Sequence, residues 1–185
     1  MEVYNLKSSK DEKIKEDVAN LYLSAFPSNE RPPIEWYFRA VYGIDNNQIL
    51  VFYDNKEYIG YAHLCFYQDI IYICYLAVNA NKRNLGYGSK ILNYVRDNYP
   101  RFTILLCFEE VDEKYSDNEM RKRRMNFYIR NGFTNNHLKT REGEVIYQSS
   151  RIGDRKVTFD IYQKIFDLCY GERASENYLR FVSDE

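Results

Sequence analysis

The chain has no excess of charge of one sign, no long apolar run and no closely spaced cysteines. Its 26 Lys and Arg stand against 27 Asp and Glu, so the formal net charge is −1 over 185 residues. A protein dedicated to nucleic acid needs a basic excess for its phosphate contacts, and this balance argues against such a partner. The longest apolar run, residues 70–78, is about half the length of a membrane-spanning helix. It predicts a buried strand and no membrane partner.

Two further features are missing, and each excludes a class of protein. The first residues lack the uninterrupted apolar stretch of a secretory signal, which predicts a cytoplasmic location. The four cysteines are far apart and form no Cys-x-x-Cys pair, and the only histidines that could join them are His63 and His137. These cysteines are Cys65, Cys74, Cys107 and Cys169. We therefore expect no metal site and interpret the cysteines as reduced thiols that serve as small apolar side chains.

Hydrophobic periodicity predicts one α/β domain over residues 1–185. Hydrophobic residues at 45% and aromatic residues at 17% supply enough core material for a chain of this length. We expect helices at residues 11–26, from residue 33, and at 86–98, 117–131 and 159–169, and strands at 48–53, 58–66, 70–78, 102–108, 135–140 and 144–150. This order indicates a mixed sheet whose core spans about 11–150. Residues 151–185 are expected to form a C-terminal helical extension that packs on the body or on a second subunit of a homodimer.

The strongest local signal is the turn Arg83-Asn84-Leu85-Gly86-Tyr87-Gly88-Ser89, between an apolar strand and an amphipathic helix. Glycines allow the tight bend that brings successive N–H groups to an anion, and the helix N-terminus adds partial positive charge. The turn therefore predicts a phosphate-bearing ligand. The dinucleotide fingerprint needs a third glycine where Ile91 stands, and the nucleoside triphosphate loop needs Gly-Lys-Ser or Gly-Lys-Thr where Gly88-Ser89-Lys90 stands.

These residues resemble the GNAT superfamily of acetyl-CoA-dependent N-acetyltransferases. Tyr75-Leu76-Ala77-Val78 followed by Arg83-x-x-Gly86-x-Gly88 is similar to the family's motif A. Residues 126–133, which contain Tyr128 and end in Gly-Phe, are similar to motif B, and Tyr128 follows Gly86 by 42 residues. The resemblance implies a single-domain GNAT-like α/β fold, with a mixed, mostly antiparallel sheet flanked by helices and with splayed central strands.

The resemblance also implies a cofactor site and a reaction. Acetyl-CoA, as co-substrate, would place its pantetheine arm along the backbone of Leu76, Ala77 and Val78 and its pyrophosphate on the turn. A backbone N–H of Leu76 or Val78 would stabilise the oxyanion while an amine attacks directly. Tyr128 corresponds to the family's general acid, which would protonate the departing thiolate.

The base that deprotonates the acceptor amine stays open. In the histone-modifying branch a glutamate occupies the position where Tyr72 stands here. Glu109 and Glu110 end a strand at the edge of the cleft, and alternation predicts that only one of them points inward. Glu30 lies in the loop between the first two helices, a region that lines the acceptor pocket in this family. Water relays are a further alternative. Acidic residues here would suit a cationic acceptor such as a polyamine, an aminoglycoside or a peptide amino terminus.

Two other functions stay open at this stage. The same fold could be a catalytically inactive acyl-CoA-binding sensor. The basic run Arg121-Lys122-Arg123-Arg124 could contact CoA phosphates, form a solvated helix surface or bind RNA, although the net charge weighs against RNA. His63, on a strand, is expected to be a packed histidine and not a catalyst.

Overall fold

An eight-stranded sheet with helices on both faces forms the body of the molecule in a computed structural model that describes residues 1–28 and 30–184. The strands are β1 Glu2–Asn5, β2 Asn47–Asp54, β3 Glu57–Tyr67, β4 Ile70–Val78, β5 Thr103–Glu109, β6 Thr134–Glu142, β7 Val145–Ile152 and β8 Leu179–Ser183. The helices are α1 Glu12–Ala25, α2 Ile34–Gly43, α3 Tyr87–Asn98, α4 Asn118–Arg130, α5 Phe159–Tyr170 and α6 Ala174–Tyr178. None of the helices in this part of the chain has the length and apolar character needed to cross a membrane.

The sheet has the order β1-β2-β3-β4-β5-β7-β6-β8, and only β4 and β5 run parallel. Their pairing extends from Ile70 opposite Thr103 to Ile73 opposite Leu106 and then stops. Beyond that point β4 continues to Val78 along β3, while β5 continues to Glu109 along β7. The two central strands therefore separate towards their carboxyl ends, which confirms the expected mixed sheet with splayed central strands.

The core lies on both faces of the sheet because side chains alternate along each buried strand. On one face, strand residues such as Phe52 and Ile71 pack against Ile91 and Val95 of α3. The other face is covered by α1 and α2 at one end and by α5 at the other end. Burial on both sides explains why β4 has an apolar run without a polar face.

The C-terminal part contains more than the expected helices. Strand β8 adds to the sheet beside β6, and α5 turns the side chains of Tyr162, Ile165, Phe166 and Cys169 into the core. This apolar face is covered within the chain, so α5 packs on the body, which was one of the two expected alternatives. The sequence did not predict the edge strands β1 and β8. Both are short, and most of their residues are not buried, so neither shows the alternation of a half-buried strand.

Candidate functional site

A cavity of about 740 Å³ opens where β4 and β5 separate. It is bordered by the ends of these strands, the loop after α1, the turn before α3, and helix α4. Nine of the ten residues expected at the cofactor line it: Leu76, Ala77, Val78, Arg83, Asn84, Gly86, Tyr87, Gly88 and Ser89. Leu85 is 60% exposed and lies outside the lining.

The turn before α3 presents backbone N–H groups to the cavity. Gly86 precedes the helix with φ 79°, a left-handed conformation that favours glycine. The first hydrogen bond of the helix runs from the Lys90 N–H to the Gly86 carbonyl. The N–H groups of residues 87–89 therefore precede this bond, and they have no backbone acceptor in the described part of the chain. Together with the helix dipole they form a site suited to an anion.

Gly88 is required by packing as well as by the turn. A Cβ at this position would lie 3.0 Å from Cζ of Phe127, so the missing side chain lets the start of α3 approach α4 closely. The Tyr87 hydroxyl donates to Asp54 at 2.8 Å, which attaches the same turn to the β2–β3 hairpin. These contacts hold the N–H groups in place before any ligand arrives.

The phosphate-facing side of the cavity is basic. Its lining includes Lys82, Arg83, Arg123, Arg124 and Arg130. The basic run of α4 is divided: Arg121 pairs with Asp117 at 2.8 Å and Lys122 with Glu119 at 3.0 Å, whereas the next two arginines line the cavity. The first half of the run is thus a helix surface, and the second half borders the site.

Tyr128 lies in α4 with its ring against the core and one side towards the cavity. Its ring centroid is 5.4 Å from that of Phe108 and 5.8 Å from that of Phe133. Burial raises the pKa of the phenol above its ordinary value near 10, so the hydroxyl keeps its proton at neutral pH. Among the described residues the hydroxyl has no hydrogen-bond partner, which leaves it available to a ligand in the cavity.

The two glutamates at the end of β5 point in different directions, as alternation predicts. Glu109 lines the cavity, but its side chain is only 5% exposed and forms an ion pair with Arg124. Glu110 lies outside the lining, and its carboxylate accepts hydrogen bonds from Lys114 at 2.9 Å and Lys139 at 3.2 Å. Glu110 therefore does not face the cavity.

Glu30 reaches the cavity from the loop between α1 and α2. Its carboxylate accepts a hydrogen bond of 3.4 Å from the hydroxyl of Tyr147 on β7. Tyr147 stands opposite Glu109 in the β5–β7 pairing. Glu30 thus lies near the ends of β5 and β7 that border the cavity.

A further carboxylate, that of Glu142, was missed by sequence reasoning. It lines the cavity from the end of β6, and its partner is the hydroxyl of Tyr162 at 2.7 Å. That hydroxyl in turn lies 2.9 Å from the hydroxyl of Tyr72. Burial raises the pKa of Glu142 to about 7. The sequence predicted a turn at Glu142, so this residue was not considered for the site. The alternation along β6 gives a signal for it, because Asn136, Leu138 and Thr140 are buried and Glu142 is the next residue on the same face.

The cavity lining combines two kinds of group. The turn before α3 supplies free N–H groups and Arg83, whereas Glu30 and Glu142 both lie near Tyr147 of β7. The gap between β4 and β5 belongs to the same cavity, and Tyr128 borders it. Such a site suits an extended ligand that carries both phosphates and a cationic group.

Comparison with known proteins identifies the architecture. Residues 45–135 match the family model described as an acetyltransferase (GNAT) domain. A GNAT-family protein from Bacteroides thetaiotaomicron is 23% identical, with 92% of this chain and 99% of that chain covered at a TM-score of 0.75. A search of curated proteins found no match.

Two enzymes with named acceptors share the fold at lower identity. The aminoglycoside 6'-N-acetyltransferase from Enterococcus faecium is 14% identical over 84% of this chain and 99% of its own, with a TM-score of 0.60. Naa50 from Arabidopsis thaliana, in complex with the bisubstrate analogue CoA-Ac-MVNAL, is 20% identical over 83% of this chain and 100% of its own, with a TM-score of 0.56.

Proposed function

We propose that this chain, whose residues 45–135 match the acetyltransferase (GNAT) domain, transfers the acetyl group of acetyl-CoA to a primary amine by direct attack in a ternary complex. The observation that carries the proposal is the joining of the anion-binding turn to the gap between β4 and β5 in one cavity. A phosphate-bearing cofactor with a long, narrow arm fits this combination, and the CoA moiety in the Naa50 complex supports it.

In this proposal the diphosphate of CoA binds the N–H groups of residues 87–89, with Arg83 and Arg123 as cationic neighbours. The pantetheine arm extends along Leu76 to Val78, where β4 has no β5 partner and its backbone is open on that side. A backbone N–H of Leu76 or Val78 then faces the thioester oxygen and stabilises the negative charge that develops on it. The basic run of α4 contributes positive charge near the cofactor, so RNA binding is not needed to explain these residues.

The transfer needs a base, and Glu142 is the carboxylate best suited to it. A neutral pH leaves a group with a pKa of about 7 partly ionised, which is the condition for efficient proton acceptance. Glu109 would have to leave its ion pair with Arg124 first, and Glu110 does not face the cavity. Glu30 is a second candidate, and its bond to Tyr147 sets it beside the same end of the cavity.

The proposed reaction proceeds in one attack without an enzyme-bound acyl group. Glu142 accepts a proton from the ammonium of the acceptor, and the free amine nitrogen attacks the carbonyl carbon of the thioester. The C–N bond forms, the C–S bond breaks, and Tyr128 donates its proton to the departing CoA thiolate. Tyr162 and Tyr72 orient the Glu142 carboxylate through their hydroxyl groups.

We propose a cationic acceptor because Glu30 and Glu142 give the acceptor end a negative charge, and the tyrosines around them offer faces for a cation. The named acceptors of the two enzymes above, an aminoglycoside and a peptide amino terminus, have this character. Together with polyamines they form the first panel to test.

The test has two parts. The thermal unfolding midpoint is measured with acetyl-CoA, and with ATP and NAD as controls for other phosphate ligands. A site filled at about 100 times Kd adds ~2.7 kcal/mol, which corresponds to a rise of about 5–10 °C for a domain of this size. Thiol release from acetyl-CoA is then followed across the panel of amines.

A rise with acetyl-CoA alone and thiol release with an amine would support the transferase. A rise without thiol release from any amine would favour the inactive acyl-CoA sensor. No rise with any of the three ligands would mean that the glycine turn is structural, and the proposal would be abandoned.

A further inference from the structure

Three cysteines and one histidine from two strands and a distant helix meet beside the cavity. His63 of β3, Cys74 of β4 and Cys169 of α5 each offer a ligand atom, and these atoms all lie within 4.8 Å of one another. Cys65, two residues after His63 on β3, adjoins Cys169, and its thiol donates to the carbonyl of Ile165 in α5 at 3.9 Å. The fold thus assembles three of the four cysteines although none of them are neighbours in the sequence.

The histidine of this cluster has unsatisfied polar atoms. His63 is 1% exposed, and neither Nδ1 nor Nε2 has a hydrogen-bond partner within the described residues. Its ring packs between those of Tyr37 and Tyr75, at centroid distances of 5.4 and 6.1 Å. A buried imidazole without any partner is unfavourable and calls for an explanation.

The thiols beside it are in a related situation. The sulfurs of Cys74 and Cys169 are 2.6 Å apart. Cys169 is buried and Cys74 is partly buried. A disulfide between them would use both sulfurs but would leave the two His63 nitrogens unpartnered. A bound cation would engage the imidazole and the sulfurs together.

We propose that His63, Cys74 and Cys169 bind a thiophilic cation of the zinc class, with Cys65 as the fourth ligand. Thiolate and imidazole are the ligands that zinc prefers, and four of them complete a tetrahedral site. This proposal is independent of the acetyl transfer. Cys74 borders the cavity and provides the entry path for the ion. Each thiol that binds releases one proton to the solvent, so affinity should rise with pH.

The site requires local adjustments, among them a movement of the Cys65 sulfur, which lies outside the group of mutually close ligand atoms. At a Zn–S distance of ~2.3 Å, two sulfurs of a tetrahedral site are about 3.8 Å apart, so the Cys74 and Cys169 sulfurs have to separate. Cys74 is only partly buried, which leaves its side chain room to move. The bound ion would then tie α5 to the central strands β3 and β4, next to the point where β4 leaves β5.

The experiment uses the full chain, reduced and stripped of metal with a chelator. Cobalt(II) is titrated into it, because a thiolate-ligated tetrahedral cobalt gives a charge-transfer band and intense visible absorption. We expect one equivalent to bind and zinc to displace it. Cys169→Ser and His63→Gln should each lower the affinity by at least about tenfold. The matched controls Cys107→Ser and His137→Gln, which change the remaining cysteine and histidine, should leave it unchanged.

If a variant fails to fold, a measurement on the wild-type protein still decides between the outcomes. NMR of bound cadmium reports the number of thiolate ligands without any substitution, and three are expected. Folded, reduced protein that binds no cobalt would overturn the proposal. A Cys74–Cys169 disulfide found by peptide mapping, with no cobalt bound after its reduction, would also overturn it in favour of a redox-active pair. Neither readout uses acetyl-CoA, so failure here leaves the proposed transferase untouched.

Discussion

Replacing Glu142 by glutamine removes the charge of the proposed base while keeping the size of its side chain. The amide oxygen of the variant can still accept the hydrogen bond from Tyr162. The substitution therefore separates the loss of a proton acceptor from a loss of packing. We expect opposite effects on activity and on stability.

The stability effect follows from the pKa. Burial raises the pKa of Glu142 from its ordinary value of 4.5 to about 7. Below 4.5 the carboxyl group is protonated in both the folded and the unfolded chain, so it contributes no penalty there. Between about pH 4.5 and 7 the unfolded chain loses this proton while the folded chain keeps it, so the folded state becomes progressively less stable as the pH rises, and the penalty is complete above about 7. The penalty above pH 7 is about 1–3 kcal/mol, the lower figure allowing for screening by water in the cavity.

Glutamine carries no such penalty. Glu142→Gln should therefore raise the free energy of unfolding by about 1–3 kcal/mol at about pH 8 and leave it nearly unchanged at about pH 4.5. Activity should move the other way, with kcat lower by about 10²–10⁴-fold. In the wild type, kcat/KM should rise with pH through about 7, and this ionisation should be absent from the variant.

The assays are urea unfolding at the two pH values and thiol release from acetyl-CoA as a function of pH, with a saturating amine for kcat and a subsaturating amine for kcat/KM. Glu110→Gln is the matched control, since that carboxylate lies outside the cavity and pairs with Lys114 and Lys139. It should keep the wild-type pH profile. If Glu142→Gln retained full kcat with the ionisation near pH 7 intact, the base would have to be sought elsewhere, with Glu30 next. A variant less stable than wild type at about pH 8 would refute the argument from burial.

Two further substitutions test the other parts of the site. Tyr128→Phe removes the proposed proton donor, so kcat should fall by about 10–100-fold while KM for acetyl-CoA is kept. Tyr94→Phe, on α3 outside the cavity, is its control, and equal activity of both variants would exclude the general-acid role. Gly88→Val inserts atoms against the Phe127 ring and should weaken acetyl-CoA binding by at least about tenfold in a calorimetric titration. Ser89→Ala keeps the backbone N–H and should bind nearly as well as wild type, whereas equal affinity of both variants would contradict binding by the turn.

Local patterns account for what could be predicted from the sequence. The conformation of the turn from Arg83 to Ser89 is set by its own residues. An apolar strand precedes it and an amphipathic helix follows it, so the bounds of the turn could be predicted from the sequence. The separation of β4 from β5 came from the resemblance of two motifs in register. Periodicity alone gives a buried strand and says nothing about where its pairing stops.

Tertiary contacts account for what was missed. The partner of Glu142 is Tyr162, and the next hydroxyl belongs to Tyr72, 90 residues away from Tyr162 in the chain. The contact between Cys74 and Cys169 spans 95 residues. Wide spacing in sequence was interpreted as an argument against a metal site, yet spacing is informative only where ligands come from one short segment. A cluster assembled by a sheet and a distant helix leaves no such signal.

The net charge of −1 shows that a sum over the sequence does not reveal where charges lie in the fold. It argued against a polyanion as the main ligand, and the cavity lining nevertheless includes Lys82, Arg83 and three arginines of α4 as well as Glu30 and Glu142. Opposite charges cancel in the sum over the chain but not in the field inside the cavity, where low-dielectric walls weaken screening. In the proposed reaction the basic residues attract the phosphates of the cofactor, and the carboxylates attract the ammonium group of the acceptor. The thioester and the amine would then meet in the gap between β4 and β5, which Tyr128 borders.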